Sequence, residues 1–119
     1  REIDLDLVKA VLKRLLRQED KLDITIEEIV KAVSAKLNIK ITDIKSPKKN
    51  KSLVFARQIC MFLARELTNC SFPDIGTKIG GRDHSTVIYA HNKIKRLKET
   101  DRTIMDTLEE LNLMLLHKT

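Results

Sequence analysis

Residues 75–94, IGTKIGGRDHSTVIYAHNKI, constrain the fold of this 119-residue chain more than any other stretch. Just ahead, Ser71 and Asp74 have the spacing of a capping box, and Phe72, Ile75 and Ile79 form a short apolar stripe that ends at Gly80-Gly81. Two successive glycines permit the left-handed backbone that a sharp reversal needs. Beyond the reversal, Asp83 is placed to N-cap a second helix. Val87, Ala90, Ile94 and Leu97 fall on one of its faces, and Ser85, Tyr89, Asn92, Lys93 and Arg96 on the other. A second helix with a buried stripe and a polar, basic outer face, delivered by a glycine turn, is the pattern of a helix-turn-helix. Its N-terminal end would enter the major groove. Tyr89, the only tyrosine, is on this pattern either a groove-side contact or a half-buried packing residue.

The remaining chain predicts an all-α fold. Aromatic residues make up 3% and tryptophan is absent, so Leu and Ile must fill the interior, and 3 Gly with 2 Pro supply too few turns for an all-β fold. From Ile3 to about Arg17, Leu5, Val8, Leu12 and Leu15, with Leu7, Val11 and Leu16 beside them, mark an amphipathic helix whose polar side carries Lys9, Lys13, Arg14 and Arg17. Residues 18–23, QEDKLD, read as a charged hinge, and the domain proper begins near Ile24. There Thr25 and Glu28 have capping-box spacing, and Ile26, Ile29, Val30, Val33 and Leu37 trace a buried face that stops near Asn38. Residues 39–46, IKITDIKS, suit a strand or a single helical turn with Thr42 and Asp43 as caps, and the turn is preferred. Pro47 then breaks any helix within SPKKNKS, residues 46–52, a loop crowded by Lys48, Lys49 and Lys51. It is either a solvated surface loop or a basic arm reaching phosphates or the minor groove. Residues 53–69 predict a central core helix through Phe55, Ile59, Phe62, Leu63 and Leu67. Its polar residues Arg57, Gln58 and Arg65 are read as phosphate-gripping in the case of Arg57, or as snorkelling. After a charged connector, Ile104, Leu108, Leu111 and Leu115 define a last helix with an acidic outer face.

The formal net charge of +6 conceals a block pattern: residues 31–98 carry 15 basic and 4 acidic side chains, and both ends are net acidic. So steep an excess favours a polyanion, because each Lys or Arg that neutralises a phosphate releases a condensed counterion. Other chemistry is excluded. Asp83, His84 and Ser85 are the residue types of a hydrolase triad, but three consecutive helical side chains diverge, and no nucleophile elbow accompanies them. Gly76, Gly80 and Gly81 are followed by no GKS or GKT and form no dinucleotide fingerprint. Cys60 and Cys70 form no CxxC pair and read as free thiols, with no metal-ligand spacing nearby, and His91 and His117 read as lone histidines in surface or capping roles. No signal peptide and no membrane-length apolar run is present, so a cytoplasmic location is expected. A start at Arg1 directly ahead of a helix suggests a piece of a longer chain.

Residues 75–94, and GGRDHSTVIYA within them above all, closely resemble the signature of the bacterial chromosomal replication initiator, the DnaA family. The resemblance extends back through ARELTNCSFPDIG, residues 64–76, and ARQ, residues 56–58, to the capping box at Thr25. It implies an all-helical C-terminal DNA-binding domain over residues 24–119. Residues 1–23 would be the end of the preceding ATPase domain with its linker helix. The partner implied is double-stranded DNA, bound as short asymmetric boxes with an A/T-rich end at a replication origin. No catalysis is expected in this chain, and the nucleotide motifs for ATP or ADP with magnesium would lie upstream. By position, Asp83, His84 and Ser85 would read bases at the start of the recognition helix, with Phe72 and Pro73 in apolar contact and Arg65 approaching the same groove. Lys49 would enter the minor groove, where the family usually has an arginine, and Ser85 stands where many members have threonine. Thr86, Arg57 and Gln58 match phosphate contacts, and Lys48, Lys51, Arg82 and Lys93 complete the expected set. A monomer is expected, with acidic phospholipids as a further partner near the linker helix.

Two other readings stand beside this one: a transcription regulator with a similar helix-turn-helix, and an interaction module in which the helix from Ile3 to Arg17 lies on an acidic membrane surface or docks on another protein, although packing of that helix on the preceding ATPase domain is preferred.

Overall fold

The computed structural model describes residues 5–20 and 24–116, and among them every regular element is a helix. The first, α1 (Leu5–Asp20), runs three residues past the expected end at Arg17, into the charged hinge. The rest of that hinge, residues 21–23, and His117 lie outside the described residues, as do the side chains of Leu5 and of residues 14–20. On α1 the side chains of residues 6–13 are exposed, Leu7, Val8, Val11 and Leu12 included.

The domain is built around α4 (Lys51–Leu67), against which α2 (Ile26–Leu37), the four-residue α3 (Ile41–Ile44), α5 (Phe72–Lys78) and α6 (His84–Leu97) pack, while α7 (Arg102–Leu116) lies on α2. The segment α4 is central because it is apolar almost all round, and Ala56, Ile59, Cys60, Met61, Phe62, Leu63 and Ala64 are all buried. Phe55, expected in the core, is only half-buried at its margin.

The ends of the helices are set locally, as the sequence predicts in most places. Thr25 and Glu28 form the full capping box of α2, with the Glu28 amide donating to Thr25 Oγ1 at 3.1 Å and the Thr25 amide to Glu28 Oε1 at 2.9 Å. At the other end Asn38 adopts φ 57°, a left-handed conformation that Asn tolerates, and its amide donates to the Ser34 carbonyl. The alternating segment after it is a helical turn rather than a strand. Its N-cap is Lys40, without a side-chain bond, rather than Thr42 or Asp43. The acidic face of α7 is exposed at Asp106, Glu109 and Glu110, and Glu110 pairs with Lys36 across to α2.

Candidate nucleic-acid interface

The helix-turn-helix is α5 and α6 with the turn between them. Ser71 caps α5 by accepting from the Asp74 amide at 3.3 Å, one half of the expected capping box. The turn follows through Gly80 at φ 83° and Gly81 at φ 70°, conformations that side chains disfavour. Its tightness shows at Gly76, the point where turn and α5 touch. The Arg82 amide donates to the Gly76 carbonyl at 2.7 Å, and a Cβ on Gly76 would run into the Arg82 carbonyl oxygen.

Out of this turn Asp83 caps α6. One carboxylate oxygen, Oδ2, accepts from the Ser85 amide at 3.0 Å and from the Ser85 hydroxyl, and these bonds hold the carboxyl below its ordinary range. The other oxygen, Oδ1, lies 3.7 Å from His84 Nδ1. Asp83, His84, Ser85 and Thr86 are all exposed, with Val87, Ala90 and Ile94 buried behind them. The first turn of α6 therefore offers an acceptor, an imidazole and hydroxyls to whatever lies in front of it, and Tyr89, 60% exposed, extends the same outer face.

Beside the turn runs the basic loop. Lys48 and Lys49 are exposed in it, and Lys51, also exposed, is the first residue of α4 rather than a loop residue. The Ser46 hydroxyl donates to the Asp43 carbonyl at 2.7 Å, and Lys48 reaches the Asp43 carboxylate at 3.3 Å. Arg57 departs from the snorkelling expectation. It is 5% exposed, and its guanidinium donates from Nε to the Ile44 carbonyl at 2.6 Å and from Nη2 to the carbonyls of Asp43 at 3.1 Å and Ser46 at 2.7 Å. Arg82 converges on the same Ser46 carbonyl, donating from Nη2 at 2.5 Å. Burial lowers the pKa of both guanidinium groups, and the charge of Arg82 lowers that of Arg57 further, yet both remain cations.

At the far end of α4, Arg65 is exposed. It lies 4.4 Å above the Phe72 ring and donates to the Cys70 carbonyl at 3.2 Å, so it stands beside the start of α5. Phe72 is half-buried, Pro73 exposed, and Gln58 and Lys93 half-buried. His91, expected to be a lone surface or capping residue, is instead enclosed. Its Nε2 lies 2.9 Å from Glu66 Oε2, its ring stacks on Phe62 at 5.3 Å, and Phe72 meets it edge-on at 5.9 Å. Sequence gave no sign of this: Glu66 and His91 are 25 residues apart on different helices, and only their packing brings them together.

Residues 26–94, more than half of the chain, match the family model for the bacterial DnaA protein helix-turn-helix. The chain belongs to this family. The matched stretch runs from the start of α2 to the buried Ile94 of α6, and so takes in the basic loop, the turn and the recognition helix. As a DnaA helix-turn-helix the domain binds double-stranded DNA in the initiation of replication, and is a binding unit rather than a catalytic one. Gly76 and Gly80 are pressed against backbone carbonyls, and among the described residues no three His, Cys, Asp or Glu side chains gather at one point. Among the same residues no helix is long and apolar enough to cross a membrane.

Proposed function

We propose that this chain recognises short asymmetric boxes with an A/T-rich end at a replication origin, with the N-terminal turn of α6 in the major groove and the basic loop at the minor groove. The observation that carries the reading is the juxtaposition of an exposed, polar first turn at Asp83, His84 and Ser85 with a lysine loop tied to the same turn through Ser46. Asp83 Oδ1 accepts from a cytosine amino group, while His84 and Ser85 bond base edges or sit against a thymine methyl. Phe72 and Pro73 add apolar contact, Arg65 approaches the same groove, and Lys49 enters the minor groove. Lys48, Lys51, Gln58, Thr86 and Lys93 hold phosphates and fix register. Arg57, with Nε and Nη2 bonded to the carbonyls of Ile44, Asp43 and Ser46, reaches a phosphate only through Nη1.

In the same proposal the chain binds one box as a monomer in the cytoplasm, and residues 1–23 connect it to a preceding ATPase domain that handles ATP or ADP with magnesium. The exposure of Leu7, Val8, Val11 and Leu12 beside Lys9 and Lys13 favours acidic phospholipid as a second ligand of α1. Liposome binding that survives deletion of residues 1–23 removes α1 from that role.

The deciding experiment is a fluorescence-anisotropy titration against a box duplex and a scrambled duplex, each at two salt concentrations. The expected result is a preference for the box of ~4 kcal/mol or more with a salt slope reflecting several phosphates. Equal, salt-sensitive binding to both duplexes would overturn base reading and leave a phosphate-gripping surface.

A further inference from the structure

Ser46 is the point where three segments of the domain meet. Its carbonyl accepts from Arg57 on α4 and from Arg82 in the helix-turn-helix turn, 36 residues further along the chain. Arg82 forks, and while Nη2 holds Ser46, Nη1 donates to the Ile79 carbonyl at 3.2 Å and the Gly80 carbonyl at 3.4 Å. Backbone contact reinforces the junction, because a Cβ on Gly80 would come within 2.6 Å of the Lys45 carbonyl oxygen. A cation kept for a phosphate would hold its donors outward. Both terminal nitrogens of Arg82 instead point at carbonyls, and it tolerates the neighbouring charge of Arg57 to do so.

We propose that Arg82 is a positioning residue that locks the basic loop to the helix-turn-helix turn, so that Lys49 and the first turn of α6 reach DNA at a fixed separation. This rests on the DNA-reading role above. The loop and its borders carry Lys45, Lys48, Lys49 and Lys51, whose mutual repulsion extends a free loop. Bonded in place, it needs no ordering when DNA arrives. A planar fork can bond carbonyls on two segments at once, whereas the ammonium of lysine is a single point charge on a flexible stem.

That difference supplies the test, made on the 119-residue chain with Arg82→Lys, Arg82→Gln and Lys49→Ala. The first readout needs no DNA: limited trypsin digestion after Lys48, Lys49 and Lys51, followed by mass spectrometry. Both Arg82 variants are expected to be cut in the loop about fivefold faster or more, with unchanged thermal midpoints and unchanged cutting elsewhere. The second is box affinity by anisotropy. Arg82→Lys, although it keeps the charge, is expected to bind about tenfold more weakly, and Lys49→Ala is expected to cost much less in that background than alone. Loop cutting at the wild-type rate in both variants overturns the proposal. So does wild-type affinity in Arg82→Lys with an undiminished Lys49→Ala effect, which would make Arg82 a phosphate contact. Should the wild-type chain fail to prefer the box, the DNA reading falls while the digestion still decides whether Arg82 holds the loop.

Discussion

Two histidines two turns apart on α6, and so on the same side of it, show how differently the two ends of one helix face are used. His84, in the first turn, has a side chain 58% exposed with only the Asp83 carboxylate close by, whereas His91 is 12% exposed between Glu66, Phe62 and Phe72. The first is free to meet a ligand, and the second fixes how α6 lies on α4. The lesson is that a DNA-reading helix needs both: a first turn left empty of protein contacts, and a later stretch held firmly enough that the empty turn has one orientation.

The strongest way to break this contrast is to disturb the turn that leads into α6. Gly76→Ala is expected to cost about 3 kcal/mol in urea unfolding, since the added methyl meets the Arg82 backbone oxygen, which cannot rotate away. A smaller effect is expected on the pinned stretch. His91→Ala should lower stability by about 2 kcal/mol, through lost ring packing on Phe62 and the lost bond to Glu66, and should weaken all DNA sequences alike. His84→Ala should do the reverse, leaving stability within about 0.5 kcal/mol while lowering preference for the box about tenfold in anisotropy titrations. Equal behaviour of the two alanine variants would dissolve the distinction.

A finer test concerns Asp83. Its folded carboxyl titrates below the ordinary value, so the stabilisation from the cap is fully present above the unfolded pKa and is lost as pH falls through the folded one. The gap in thermal midpoint between wild type and Asp83→Ala should therefore be constant from neutrality to about pH 5 and shrink in more acidic buffer, as Oδ2 stops accepting from Ser85. The smallest effect is expected at the cysteines. Burial pushes the Cys60 thiol up to about 12, while Cys70 is half-buried beside the Arg65 donor, so timed alkylation should label Cys70 first and reach Cys60 only on unfolding.

The elements were legible in the sequence wherever a local rule governs them. The capping box at Thr25, the stop at Asn38, the glycine reversal at residues 80–81 and the cap at Asp83 all depend on neighbours within four residues, and each lies where its pattern places it. The buried stripes of α2, α6 and α7 follow equally from helical period. The candidate interface was legible in part, because Ser85 lies opposite Val87 and Ala90, whereas Asp83 shares their side of α6 and is exposed at the helix start.

The roles of Arg57, Arg82 and His91 were decided only by tertiary structure. A guanidinium in a basic segment has the same letters around it whether it faces solvent or a carbonyl, and the carbonyl in question, that of Ser46, is 11 residues from Arg57 and 36 from Arg82. Periodicity reports which side of a helix is buried and not what lies across from it. The sequence alone determined that this chain is helical, basic in its middle and built around a helix-turn-helix. Its three-dimensional packing decided which cations face outward and which hold the loop and the recognition helix together, because backbone carbonyls carry no sequence signal and bond side chains only where folding brings them near.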